Sequence, residues 1–236
     1  MCGYARQHIS NKDLNEFVKS IDMMGLYKNR VEPEGPQHFY PAFGGAAGKQ
    51  IKGLIIQEEG TLKTVDATWW YDCEEQDGQL IVNNVRTTFN ARNLESRYWK
   101  SGIRHHRAIV LATAIGEGKG IGKEKRSYFM EGETPLLLGA VYRPFPNGLY
   151  STAIITRDAH LRFDKYHDKA FPYFLPHDPD ILKLWLGDEP ETHPVIAGLL
   201  ENPKLYNRLK VTPVKTFKDA VATGESEVLE PDDIAA

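Results

Sequence analysis

Three apolar stretches in the middle of the chain decide its fold: RAIVLATAI (107–115), PLLLGAVY (135–142) and GLYSTAIIT (148–156). Each is short, rich in aliphatic and β-branched residues, and bounded by turn-forming residues, which is typical of β-strands. Helices do not alternate with these stretches, which favours antiparallel sheets over a parallel sheet wound with helices. Further stretches of this kind are IKGLII (51–56), LKTVDATWW (62–70), QLIVNNV (79–85) and VTPVKTF (211–217).

Helical patterns lie on either side of this β-rich region. Ser10 is a typical helix cap, and apolar residues at helical spacing follow it as far as Gly25. Asp178-Pro179 predicts the start of a second helical region, which prolines interrupt up to Lys210. The expected fold class is therefore α+β, with mainly antiparallel β-sheets that form a sandwich-like or barrel-like core and with peripheral helices.

A single domain over residues 1–217 is expected, because the chain has no internal repeat and no clean linker. Residues 28–50 are rich in Pro and Gly and are expected to cross the surface without regular structure. Residues 218–236 are acidic and carry no base after Lys218. They predict a flexible, solvent-exposed tail, with binding to a partner as the alternative.

Composition excludes several classes of protein. Of the 236 residues, 41% are hydrophobic and 26% charged, which excludes disorder of the whole chain. No stretch of about 18 apolar residues occurs and MCGYARQHIS is no export signal, so a cytoplasmic location in a bacterial or phage setting, or a nuclear one in a eukaryote, is expected. Cys2 and Cys73 are too few for a disulfide framework or a cysteine-based zinc site, and no metal or other cofactor is expected.

The first candidate for chemistry is Cys2. Removal of Met1 would leave a thiol and a free α-amine on one residue, and ordinary pKa values of about 8.5 and 7.7–8.0 make both partly nucleophilic near neutral pH. Such an aminothiol condenses with an aldehyde to an imine, and the thiolate then closes a five-membered thiazolidine ring. A functionally silent cysteine is the alternative.

The second candidate is the basic segment from Arg86 to Arg107, which stands out in a chain whose net charge is −3. Cations contact phosphates and aromatic rings stack on unpaired bases, so their mixture predicts a surface for single-stranded nucleic acid. The alternative is a solvated loop whose aromatic residues pack into the core. The cations are Arg86, Arg92, Arg97, Lys100, Arg104 and Arg107, the aromatic residues are Phe89, Tyr98 and Trp99, and the one acid is Glu95.

Glu117 and His167 are candidates for proton transfer. Glu117 ends a buried strand pattern, where loss of water raises a carboxyl pKa toward acid–base use; an ordinary acid at a strand end is the alternative. His167 precedes an apolar Phe-Pro run, and a surface imidazole is the alternative. The GKGIGK stretch (118–123) does not match a phosphate-binding loop. His105 and His106 lack a third ligand, so a metal site is not expected.

Four separated motifs occur in order along the chain. They are Met1-Cys2-Gly3, Asn90-Ala91-Arg92 with Glu95 close behind, His106-Arg107-Ala108-Ile109 leading into a strand that ends at Glu117, and His167 before a Pro-containing apolar run. From residue 2 to about 217 this order resembles the SRAP family, the SOS-response-associated peptidase-like proteins that process abasic sites in DNA. The resemblance implies a peptidase-like removal of Met1 and a thiazolidine crosslink between Cys2 and the ring-opened sugar, with lyase-type activity.

The resemblance also implies roles and partners. Cys2 would be the nucleophile, Asn90 would position its amine and the sugar, and Glu117 and His167 would transfer protons. The partners would be single-stranded DNA with abasic sites and the replication machinery, with no membrane, and the protein would be a monomer that shields damage. Residues expected on the DNA surface are Arg92, Arg86, Arg97, Lys100, Arg104, Trp69 and Trp70.

The chain departs from the family pattern next to the acid. The family usually has aromatic residues there, where this chain has Gly116 and Gly118, so aromatic packing around Glu117 is expected to be lost. Two other functions stay open. One is an N-terminal-nucleophile peptidase or hydrolase in which Cys2 attacks an amide and its own amine is the base. The other is a non-covalent single-stranded DNA-binding module that uses only the basic segment.

Overall fold

A computed structural model of the chain describes residues 3–45, 48–120, 122, 125–158, 160–167 and 170–232. In this part of the chain the helices are α1 (Asn11–Ser20), α2 (Arg97–His105), α3 (Pro179–Leu186) and α4 (Pro194–Glu201). The strands are β1 (Ala5–Gln7), β2 (Gln37–Phe39), β3 (Gln50–Glu58), β4 (Thr61–Thr68), β5 (Cys73–Gln76), β6 (Gln79–Val82), β7 (Asn90–Ala91), β8 (Arg107–Lys119), β9 (Arg126–Phe145), β10 (Leu149–Arg157), β11 (Phe171–Pro172), β12 (Leu209–Val214) and β13 (Glu227–Leu229).

Five strands close a barrel. β9 pairs antiparallel with β10 and with β8, and β3 pairs antiparallel with β4 and β8. β10 meets β4 in parallel at Ser151 and Thr68, which completes the ring. β7 also runs parallel to β10, with Asn90 opposite Ile154, and the other pairings among the described residues are antiparallel. The predicted α+β class with a mainly antiparallel, barrel-like core and peripheral helices is confirmed.

β8 and β9 are long enough to belong to two layers. The register between them shifts between Ala112 and Ala114, and an irregularity of this kind bends a strand. Before the shift β8 pairs with β3, and beyond it with β1. β9 likewise pairs with β12 over residues 127–132 and with β10 over residues 140–145. The far half of this hairpin therefore forms a second layer with β1, β2, β12 and β13, and Glu117 lies in that layer.

Aromatic rings join the segment after β10 to the second layer. Phe163 contacts Phe171 edge-to-face, with ring centroids 4.7 Å apart, and Tyr166 contacts Tyr128 of β9 at 5.2 Å. All four rings are buried, and full burial of a phenylalanine contributes about 1.5–3 kcal/mol. This packing holds in place the segment that ends at His167.

Helices α1 and α3 begin where the sequence predicts, and α1 is shorter than predicted. The Ser10 hydroxyl accepts a hydrogen bond from the Asp13 N–H at 3.1 Å, which caps α1. α1 ends at Ser20 rather than Gly25, and Asp22 already has a positive φ of 55°. Asp178 caps α3 through the N–H groups that follow it. Among the described residues no helix is both long and apolar enough to cross a membrane.

Two segments predicted to lack regular structure contain strands. β2 forms within residues 28–50 and pairs with β1. In the acidic tail, β13 pairs with β12, and the Asp232 N–H donates to the Leu205 carbonyl at 2.8 Å. Residues 218–232 therefore differ from the predicted flexible tail, because strand hydrogen bonds and ion pairs attach them to the sheet. Residues 233–236 lie outside the described part of the chain.

Candidate functional site

Glu117 is a buried carboxyl group near the end of β8. None of its side chain is exposed (0%), and its partner across the β8–β9 ladder is Tyr128. Burial raises the pKa of Glu117 to about 7, because removal from water penalises the charged form. Near neutral pH Glu117 therefore populates both its acid and its base form, as a general acid–base group requires.

His167 lies beside Glu117. The His167 Nδ1 is 3.6 Å from the Glu117 Oε2 and 2.8 Å from the Gly118 carbonyl oxygen. A carbonyl oxygen only accepts, so Nδ1 carries the proton in that hydrogen bond, and the longer approach to Glu117 is an electrostatic contact. In the neutral ring Nε2 is then the basic nitrogen. The fold thus brings together two of the residues that the sequence nominated for proton transfer.

Aromatic residues from outside β8 pack against Gly116, on the face of the strand opposite to the Glu117 side chain. A Cβ atom at Gly116 would lie 2.8 Å from the ring of Phe217, so only glycine leaves room for that ring. Tyr4 stacks on Phe217 with centroids 5.2 Å apart, and the Gly116 N–H donates to the Tyr4 carbonyl at 3.0 Å. Successive residues of a strand point to opposite faces, so Tyr4 and Phe217 fill the space that Gly116 leaves and do not surround Glu117. On the Glu117 face, the aromatic residue directly across the ladder is Tyr128.

The two cysteines differ in what the structure says about them. Cys2, like Met1, lies outside the described residues, and the described chain begins beside Glu117 through the Tyr4 hydrogen bond to Gly116. Cys73 is buried and its thiol donates to the Trp70 carbonyl at 3.2 Å. Burial raises the pKa of Cys73 to about 12, which keeps the thiol un-ionised and unreactive.

Asn90 and Arg92 lie beside β10. Asn90 is buried in β7, and because β7 runs parallel to β10 both strands lead to the same end of the barrel. Arg92 is partly exposed, and its Nε lies 3.8 Å from the Oδ1 of Asp158, just beyond β10. The segment that carries His167 starts at this same end. The structure therefore places Asn90 on the strand next to the one that leads to His167, and Arg92 just beyond the end of that neighbouring strand.

Residues 97–105 of the basic segment form the helix α2, whereas the alternative interpretation expected a loop, and its role in binding nucleic acid stays a prediction. Arg97, Lys100 and Arg104 are exposed and lie three and four residues apart, so they share one helix face. Trp99 and Ile103 are buried on the opposite face. The aromatic residues thus pack into the core while the cations face solvent. Arg86 is exposed as well, with its guanidinium carbon 5.9 Å from the centre of the Tyr98 ring.

Arg107 has a structural role. Its guanidinium is buried and donates to the carbonyl groups of Ile103 at 2.7 Å, Trp185 at 2.5 Å and Gly187 at 2.8 Å. These carbonyls belong to the ends of α2 and α3, where the last carbonyl groups lack partners within the helix and a cation is favourable. Arg107 therefore joins two helix ends and adds no charge to the surface of the basic segment.

Trp69 and Trp70 belong to the core. They are 0% and 2% exposed, and their indole N–H groups donate to the carbonyls of Phe89 at 2.8 Å and Asn83 at 2.9 Å. Their expected place on the DNA surface is corrected accordingly, because neither ring presents a face to a base. Phe43 contacts Trp70 edge-to-face, with ring centroids 5.5 Å apart, and 52% of its surface is exposed. Sequence reasoning missed Phe43, whose only signal is an aromatic residue inside the Pro- and Gly-rich segment.

Glu117→Gln is expected to stabilise the protein at pH 8 but not at pH 5. The pKa of Glu117 rises from 4.5 to about 7 on folding. Between these values the carboxyl of the unfolded chain ionises while the buried one keeps its proton, so the fold loses stability as pH rises. Glutamine has the same shape and no charge. The difference in thermal stability between variant and wild type should grow from pH 5 to pH 8 by on the order of 3 kcal/mol. Thermal unfolding followed by circular dichroism measures it, and a difference independent of pH would contradict the assignment.

Comparisons with known proteins identify a family from the sequence and show the same fold in solved structures. The model of the family described as SOS response associated peptidase (SRAP) matches residues 1–219. A phage-related protein from Bordetella bronchiseptica is 19% identical with a TM-score of 0.59, over 91% of this chain and 95% of that chain. A protein from Bacteroides thetaiotaomicron is 17% identical with a TM-score of 0.60, over 91% and 93% of the two chains. None of the curated proteins compared matches the sequence.

Proposed function

Because the chain belongs to the SOS response associated peptidase (SRAP) family, we propose that it traps abasic sites in single-stranded DNA by covalent attachment at Cys2. Membership connects the chain with abasic sites and DNA damage at the level of the family. The observation that carries the proposal is the contact of buried Glu117 with His167, beside the strand position that binds Tyr4. Tyr4 follows Cys2 by two positions in the sequence, and its carbonyl accepts the hydrogen bond from Gly116, the residue before Glu117.

The proposed attachment needs only the groups of one residue. Removal of Met1 leaves Cys2 with an amine and a thiol. The amine adds to the aldehyde carbon of the ring-opened sugar, and loss of water gives an imine. The thiol then adds across the C=N bond, with sulfur bonded to carbon and the proton transferred to nitrogen, which closes the thiazolidine. Water is the only product released, and no electrons are exchanged with a co-reactant.

Glu117 and His167 would supply the proton transfers. An abasic sugar is mostly a closed hemiacetal, so ring opening moves a proton from one oxygen to another, and loss of water from the first adduct requires an acid. Glu117, whose pKa burial raises to about 7, can donate or accept a proton near neutral pH. Asn90 would orient the sugar, because an amide both donates and accepts hydrogen bonds.

The DNA strand would contact Arg92, Arg86 and the exposed face of α2, and a base would stack on Phe43. Phosphate contacts of this kind are independent of sequence. A missing base also lets the protein reach the sugar without the cost of flipping a base from the stack. The proposed surface is therefore suited to a damaged position in any sequence.

Replacing Arg97, Lys100 and Arg104 with glutamine is expected to weaken binding to intact and abasic single strands equally. Each lost phosphate contact reduces the slope of log K against log salt by about 0.7, so the slope should become shallower by up to roughly 2. Fluorescence anisotropy over a range of salt concentrations measures it. Lys12→Gln with Lys19→Gln, which removes exposed cations from α1, is the control. An unchanged slope in the triple variant would exclude α2 from the DNA surface.

A denaturing gel tests the proposed function. The mass of the intact protein is first measured to show that Met1 is absent. The protein is then incubated with three single strands: one that contains uracil, the abasic strand made from it by uracil removal, and the abasic strand after reduction of its aldehyde. A heat-stable shifted band is expected with the unreduced abasic strand alone. A band with either other strand contradicts the aldehyde chemistry, and absence of any band contradicts the proposal.

A further inference from the structure

We propose that Asp232 is a positioning residue for His167, acting through the segment 160–166. The inference rests on the proposed function, because the effect it assigns is on the rate of attachment at Cys2. Asp232 lies beyond the residues 1–219 that the family model matches, yet it contacts the segment that leads to His167.

Asp232 joins three parts of the chain. Its Oδ2 accepts a hydrogen bond from the Leu205 N–H at 2.7 Å and lies 3.2 Å from the Nε2 of His160. Its Oδ1 accepts from Nη1 of Arg162 at 2.7 Å. The side chain is 18% exposed, so solvent screens these contacts only in part. One carboxylate therefore fixes the start of the segment against the sheet edge.

The protonation states of His160 and Asp232 suit a hydrogen bond between their side chains. The Nδ1 of His160 accepts from the Arg162 N–H at 3.3 Å, so the ring proton of neutral His160 is on Nε2 and faces Asp232. Burial disfavours the charged form of Asp232, but the Leu205 N–H and the Arg162 guanidinium outweigh it and hold its pKa below the usual value. Asp232 is therefore a carboxylate at the pH at which attachment would proceed.

The segment connects this anchor to His167. The ring of His160 stacks on Phe171 with centroids 4.9 Å apart, and the backbone N–H of His167 donates to the Phe163 carbonyl at 2.8 Å. A second tail contact, the ion pair of Lys165 with Glu227 of β13, holds the same segment. One side of the segment is thus fixed by aromatic packing and the other by the tail, and loss of the tail anchor would let His167 move relative to Glu117.

The rate of attachment under single-turnover conditions tests the proposal, with the abasic strand at saturating concentration. Asp232→Ala is expected to lower the rate constant about tenfold, because small misplacement of a reacting group is costly, while DNA affinity and final yield stay at wild-type values. A merely structural role would lower the yield, since less protein is folded, and leave the rate constant unchanged. Asp232→Asn keeps an acceptor for Leu205 and should lose less. Glu225→Gln, at an exposed acid of the same tail, is the matched control and should have no effect.

Arg162→Ala breaks the same anchor from the other end and keeps the proposal testable if Asp232→Ala does not fold. If the two residues act as one unit, the double variant is no slower than either single variant. If the wild type attaches and the variants keep its rate constant, the positioning role is overturned, whether or not the yield of the variants falls. The proposed function then still stands. A wild-type protein that forms no adduct overturns both.

Discussion

Cys2→Ala is expected to abolish the heat-stable DNA adduct completely while leaving an adduct that borohydride can trap. Alanine keeps the α-amine once Met1 is removed, so the imine with the opened sugar can still form. It has no sulfur to close the five-membered ring, and the imine hydrolyses on heating. Parallel gels with and without borohydride measure the two species. The contrast tests the thiol and the amine separately.

Cys73→Ala is the matched control for this experiment. It removes the other thiol of the chain, which is buried beneath the Trp70 carbonyl, and the heat-stable band should persist. A heat-stable band in Cys2→Ala would assign attachment to another nucleophile and contradict the thiazolidine. Peptide mapping of that band would then identify the residue.

Glu117→Gln is expected to slow attachment about a hundredfold, which is the size of effect that a positioned acid or base commonly has. Glutamine preserves the shape of the buried side chain, so DNA affinity should not change. The ratio of wild-type to variant rate constants should also fall as pH rises above 7. Burial raises the pKa of Glu117 to about 7, and the acid that assists loss of water is depleted above that value. Single-turnover rates at several pH values measure both effects.

Thermal stability is the control for Glu117→Gln. A variant that is slower in attachment but more stable at pH 8 is folded, and the loss then lies in the chemistry. An unchanged rate constant, or a rate ratio that does not vary with pH, would remove Glu117 from the reaction. His167→Ala under the same conditions then shows whether the imidazole contributes independently.

The barrel was predictable because its strands are buried and aliphatic over most of their length, as at 107–115 and 148–156. Helix α2 was not. Its buried positions include Gly102, which has no side chain to mark an apolar face, and Tyr98 adjoins Trp99 without helical periodicity. Strand β13 was missed for a different reason. Its one acid, Glu227, and the acids on either side of the strand look solvated in the sequence, whereas the partner of Glu227, Lys165, is far away along the chain.

The candidate site was predictable in residue type but not in arrangement. Glu117 and His167 meet because β8 and β9 bend into a second layer and aromatic rings hold the later segment against it, and neither contact is local in sequence. For Trp69 and Trp70 the residue type itself led to a wrong prediction. Aromatic residues near cations favour base stacking as a pattern, but indoles this large also fill cores, and only the fold distinguishes the two uses. The roles of Cys2, Asn90, Arg92, Glu117 and His167 all stay predictions.

The burial of Cys73 has a practical consequence for studying this protein. Its sulfur is inaccessible to alkylating reagents until the chain unfolds, since 1% of the residue is exposed. Any sulfhydryl that a maleimide modifies under native conditions is therefore the one at position 2. A fluorophore or spin label could be attached there in the natural sequence, and competition between labelling and damaged oligonucleotide would report occupancy in real time.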